Sequence, residues 1–99
     1  FSEGIIMRTM TIKNDIVVDE KAINSGNIVY KFDLSTFVST NQSLRITEVI
    51  VREGLANESS QYVANVDQHG ILTVVRKSVS GMKPGMVQVE YTFSIDTKK

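Results

Sequence analysis

Cysteine and tryptophan are absent from this 99-residue chain, and histidine and proline occur once each, as His69 and Pro84. Each absence excludes a class of protein. Without cysteine there is no disulfide framework, no thiolate zinc site and no cysteine nucleophile. A single histidine falls short of the three or four nitrogen, sulfur or carboxylate ligands that zinc requires. No G-x-S-x-G elbow and no glycine-rich phosphate loop occurs. Apolar runs reach only three residues, as at Ile16-Val17-Val18, so no segment spans a bilayer as a helix. No signal-peptide pattern opens the chain. An excess of one charge is missing too. Eleven basic and eleven acidic residues cancel, which removes a global pull toward nucleic acid or anionic lipid. These absences together predict a protein that is not an enzyme and needs no cofactor.

What is present is alternation. In NIVYKFDL (27–34), Ile28, Tyr30, Phe32 and Leu34 alternate with Val29, Lys31 and Asp33. In MVQVEYTFSI (86–95), Val87, Val89, Tyr91, Phe93 and Ile95 alternate with polar residues. A period of two puts one apolar face on a pleated strand. Shorter candidates are Ile5–Ile12, Ile16–Val18, Leu44–Val51, Gln61–Val66 and Ile71–Arg76, giving about seven strands. Turn chemistry separates them: NSG at 24–26, DQHG at 67–70 with Gly70 as the left-handed residue, and MKPG at 82–85. No helix longer than a single turn, near Ser35–Ser39, is expected, and Asp96–Lys99 reads as a polar tail.

This pattern predicts an all-β fold: one domain over 1–99, an antiparallel two-sheet β-sandwich with immunoglobulin-like packing as first choice. A small barrel or jelly-roll fragment is the second. The initial Phe1 reads as the start of a segment cut from a longer protein.

LRITEVIV (44–51) breaks the alternation, because Leu44 and Ile46 share one phase while Val49 and Val51 share the other. Either a bulge re-phases the strand near Thr47–Glu48, or both faces are covered. On the second reading Val49 and Val51, with Arg52, Glu53 and the loop that follows, form a contact surface for another protein. They are the candidate interface.

Candidate ligand sites are sparse. His69 stands two residues after Asp67, the spacing of a base and its orienting carboxylate, within a hairpin turn. NVDQHG (65–70) mimics the start of a calcium loop, but Arg76 occupies the position of the bidentate glutamate. Asp15, Asp19 and Glu20 offer a looser oxygen set for calcium. Tyr62 and Phe37 are the candidate stacking platforms for a sugar. Asn41-Gln42-Ser43 and Asn57-Glu58-Ser59 fit the N-glycosylation pattern.

GMKPGMVQVEY (81–91) resembles the last hairpin of many bacterial and phage immunoglobulin-like modules, as does VDQHGILTV (66–74). That resemblance implies a spacer, adhesion or decoration role in a surface or virion protein, and hence an extracellular, cell-surface or virion location. It also implies, in the isopeptide-closed versions, a bond between Lys13 and Asp96. The expected activity is therefore a non-catalytic structural or interaction module working through contacts with another protein, a neighbouring domain or a second copy, with no nucleic acid and no membrane insertion. A small-ligand or carbohydrate-binding module is the alternative.

Overall fold

β7 (Gly85–Lys98) organises the molecule, because its alternating apolar residues sit between two partner strands of one sheet. Val87, Val89, Tyr91, Phe93 and Ile95 are all buried, as their shared phase predicts. The computed structural model describes residues 5–98. The other elements are β1 (Ile5–Val18), α1 (Glu20–Asn24), β2 (Val29–Asp33), β3 (Gln42–Glu53), β4 (Ala56–Asn57), β5 (Tyr62–Val66) and β6 (Ile71–Arg76), with 3₁₀ turns at Ser35–Phe37 and Ser59–Gln61.

The chain is all-β, with two antiparallel sheets facing each other. One runs β1-β7-β3-β4 and the other β2-β6-β5. An immunoglobulin constant domain places strands A, B, E and D in one sheet and C, F and G in the other. Here instead the first strand lies beside the last, from Ile5 opposite Lys98 to Val18 opposite Gly85. The strand count matches the sequence expectation and this order does not match the immunoglobulin one. The local turns are compatible with either, since they fix hairpins and not which distant strand closes a sheet.

Ile28, Tyr30 and Leu34 of the second layer are buried against β7, and Phe32 packs 5.1 Å from the Tyr91 ring. Phe37, in the first 3₁₀ turn, lies with its ring tilted against that of Phe93, 5.4 Å away between centres, and Phe93 is fully buried. The second sheet is short, with strands of five or six residues against twelve to fourteen in the long strands of the first. The molecule is consequently drawn out to 56 × 24 × 18 Å. Its radius of gyration of 15.8 Å exceeds the roughly 13 Å of a compact chain this long.

Three expectations change. The two predicted N-terminal strands are one, because Ile12, Asn14, Ile16 and Val18 keep a single inward phase through Lys13-Asn14-Asp15. A short helix follows, started by Asp19, whose Oδ1 accepts the Ala22 backbone N–H at 2.8 Å. The supposed tail at Asp96 continues β7.

The bulge in β3 is present. Ile46 pairs with Phe93 and Glu48 with Thr92, which leaves Thr47 as the extra residue. One inserted residue moves the inward phase from Leu44 and Ile46 to Val49 and Val51.

Gly70 lies at φ +82° in the β5–β6 turn, where a Cβ would come within 3.2 Å of the Ser35 nitrogen. Its carbonyl accepts the Leu34 N–H at 2.9 Å, so the hairpin tip is clamped onto the end of β2.

Candidate functional site: an apolar pole over a buried ion pair

β1, β3 and β6 finish at the same end of the sandwich, and β2, β5 and β7 begin there. A buried polar cluster ties the two sheets together at that end. Glu53, last in β3, accepts from Arg76 Nε at 2.7 Å and Nη2 at 3.0 Å, and from the Tyr62 hydroxyl at 2.5 Å. Arg76 also donates to the Ser78 carbonyl, and its guanidinium lies 5.7 Å from the centre of the Tyr62 ring. Only 8% of Arg76 is exposed. The arginine holds the Glu53 carboxyl below the usual carboxylate range, and Glu53 in turn raises the arginine's affinity for its proton. Burial, and then the hydrogen bond to Glu53, push the Tyr62 hydroxyl upward. Tyr30 stacks 6.1 Å behind Tyr62, with its own hydroxyl raised by burial.

Exposed apolar side chains gather at this end beside charged groups such as Lys83 and Glu58. The exposed large hydrophobic residues among the described ones are Val17, Val29, Leu55, Val63, Val75 and Met86, and all six lie at this pole. Val17 is opposite Met86 on the outer face of the first sheet. Val29, Val75 and Val63 make one cross-strand row on the outer face of the second. Leu55 stands fully in solvent at the tip between β3 and β4, where the Gly54 N–H is anchored to the Met86 carbonyl at 3.0 Å. Single exposed apolar residues are ordinary, whereas these six, all those among the described residues, fall at one end of an elongated molecule.

The candidate interface residues are distributed otherwise than expected. Val51 is fully buried and Val49 packs against the core, because the bulge at Thr47 turns both inward. Glu53 is spent in the clamp. Arg52 alone reaches the outer face, where its Nη1 contacts Glu90 at 3.0 Å. Of the six exposed residues at the pole, Leu55 alone lies in the loop expected to belong to that contact surface. Their signal in the sequence was faint: Val29 and Val17 looked like the off-phase members of apolar runs.

The remaining candidates separate. Asp67 Oδ1 accepts the backbone N–H groups of His69 and Ile71, which lowers its proton affinity and ties it to the turn backbone. Asp15 accepts from Gln88 Nε2 at 3.1 Å, while Asp19 caps α1. Among the described residues no three acidic or histidine side chains gather to hold a metal. Tyr62 is buried and Phe37 packs on the core, so neither is an open platform for a sugar ring. Lys13 is opposite Glu90 and Asp96 opposite Met7; six residues of strand, roughly 20 Å, separate the pair that an isopeptide bond would join. At the far pole a shallow groove of about 360 Å³ is lined by Ser35, Gln42, Asp67 and His69, among others.

No helix among the described residues is long and apolar enough to cross a membrane. Comparison with known protein families, with curated proteins and with solved structures returns no match.

Proposed function

We propose that this chain is a non-catalytic interaction module that docks another protein through its apolar pole, as part of a cell-surface or virion assembly. The observation that carries this reading is that all six exposed large hydrophobics among the described residues gather at one end, beside an ion pair that ties the two sheets together there. Ile5 and Lys98 face each other at the opposite pole. The surface or virion setting rests on the likeness of the two hairpin sequences to modules of such proteins. For the finer fold we favour a shortened jelly roll, since β1 with β7 and β2 with β6 nest as in a rolled antiparallel ribbon.

The small-ligand alternative draws on the groove beside Asp67 and His69, but no aromatic side chain among the described residues is exposed to stack on a sugar.

A photo-crosslinking amino acid at Leu55, compared with one at Gln68 on the far pole, tests the proposal in the native cell. A discrete protein adduct from position 55, weakened by Val17→Thr with Met86→Gln, is the expected result. Adducts from position 68 alone, or from neither, would overturn it.

A further inference from the structure

β1 is an edge strand. It pairs with β7 along one side only, over fourteen residues in unbroken register, with no bulge and no proline. Natural sheets normally blunt such an edge with bulges, proline, short length or inward-pointing charge. Its one defence along 9–18 is the pair Lys13 and Asp15, both on the outer face. The inward residues Ile12, Asn14 and Ile16 are only part-buried, because they line the open side. Within that row, the Asn14 Nδ2 is buried without a hydrogen-bond acceptor, an arrangement that costs free energy until an acceptor is supplied.

We infer that β1 pairs antiparallel with β1 of a second copy, with Asn14 on the two-fold axis, joining two four-stranded sheets into one. The register follows from elimination. In antiparallel self-pairing, residues facing each other must present their backbone groups alike, so the axis passes through a residue and not between two. An axis at Lys13 sets lysine against lysine, and one at Asp15 sets aspartate against aspartate, both unfavourable. An axis at Ile12 or Thr11 leaves both charges opposite uncharged residues. An axis at Asn14 places Lys13 opposite Asp15 twice over, sets Ile12 against Ile16 on the inner side, and brings a second carboxamide to face the Asn14 amide. Lys13 makes no ion pair within the chain among the described residues, so it is available. Of the pole's six residues only Val17 falls within the paired segment, opposite Thr11 of the second copy, and the other five stay open to a separate partner.

Because the chain has no cysteine, single-cysteine variants read the register directly. Sedimentation should show a concentration-dependent dimer, and Asn14→Cys should oxidise to a covalent dimer far faster than Thr11→Cys or Leu55→Cys, since only residues facing one another on the axis bring their sulfurs within bonding reach. Lys13→Asp alone and Asp15→Lys alone should each weaken dimerisation on the order of tenfold, and the double exchange should restore it. A monomer at all concentrations overturns the inference while leaving a Leu55 adduct untouched. A dimer that crosslinks through Leu55 and ignores the charge exchange also overturns it, and assigns self-association to the pole.

Discussion

Glu53 and Arg76 carry opposite risks. Paired, each satisfies the other's charge; separated, each is a charge with little water to solvate it. Glu53→Gln should cost about 3–5 kcal/mol of unfolding free energy, and replacing both by leucine should cost less than either single change. The pH dependence has a definite sign. The carboxyl binds its proton more weakly in the folded protein than its ordinary value of 4.5, so the unfolded state takes up the proton first as pH falls. The clamp's contribution is complete above that value and is lost as pH drops through the lower folded one. Thermal melts from neutral pH downward should therefore show the gap between wild type and Glu53→Gln closing under acid. A gap that stays constant would mean the carboxylate charge does not matter. Asp33 and Asp67 shift in the same direction through hydrogen bonds from Ser35 and from the Ile71 backbone respectively, but both lie in exposed turns and remain in the Glu53→Gln variant, so they cancel from the comparison.

At the level of elements, Thr47 is the residue that β3 leaves out of its ladder. Deleting it would restore strict alternation from Leu44 onward while Val49, Val51 and Glu53 keep their inward phase and the same β7 partners. We expect such a protein to fold with a straighter β3, and Thr47→Ala, which removes only the side-chain bond to the Thr92 carbonyl at 3.2 Å, to change stability by about 1 kcal/mol or less. Circular dichroism and urea unfolding check both. The same strand shows how far the sequence could be read. The inward row of β7 and the left-handed Gly70 were legible because period and turn chemistry are local. The phase change in β3 was visible as a conflict, yet whether it meant a bulge or a covered outer face depended on what lay opposite. β1 was misread for a different reason: three polar residues, Lys13-Asn14-Asp15, look like a turn unless the inward phase is followed through Asn14. Asp19, one of a loose oxygen set that could have suited calcium, caps a helix with its Oδ1. Glu53 and Arg76 are distant in sequence, and no local pattern announces that two ends of different sheets will meet.

For the molecule as a whole, joining the first strand to the last has a mechanical consequence. Ile5 and Lys98 face each other on neighbouring strands, so tension applied through these two positions acts across the strands and not along them. The ladder then opens one rung at a time from its end, like a zipper, and the load never falls on many hydrogen bonds together. A domain pulled this way should yield at low force and let out its length early, beginning with β1 and β7, while the Glu53–Arg76 pair at the other end is last to feel the load. Single-molecule pulling through residues 5 and 98 should give a markedly lower unfolding force than pulling through residues 5 and 55, which lie at opposite ends and load the long strands in shear. Equal forces in the two geometries would contradict the first-to-last pairing. Within an assembly under tension, such a module would behave as an extensible release, and its apolar tip would keep its shape until the final rungs gave way.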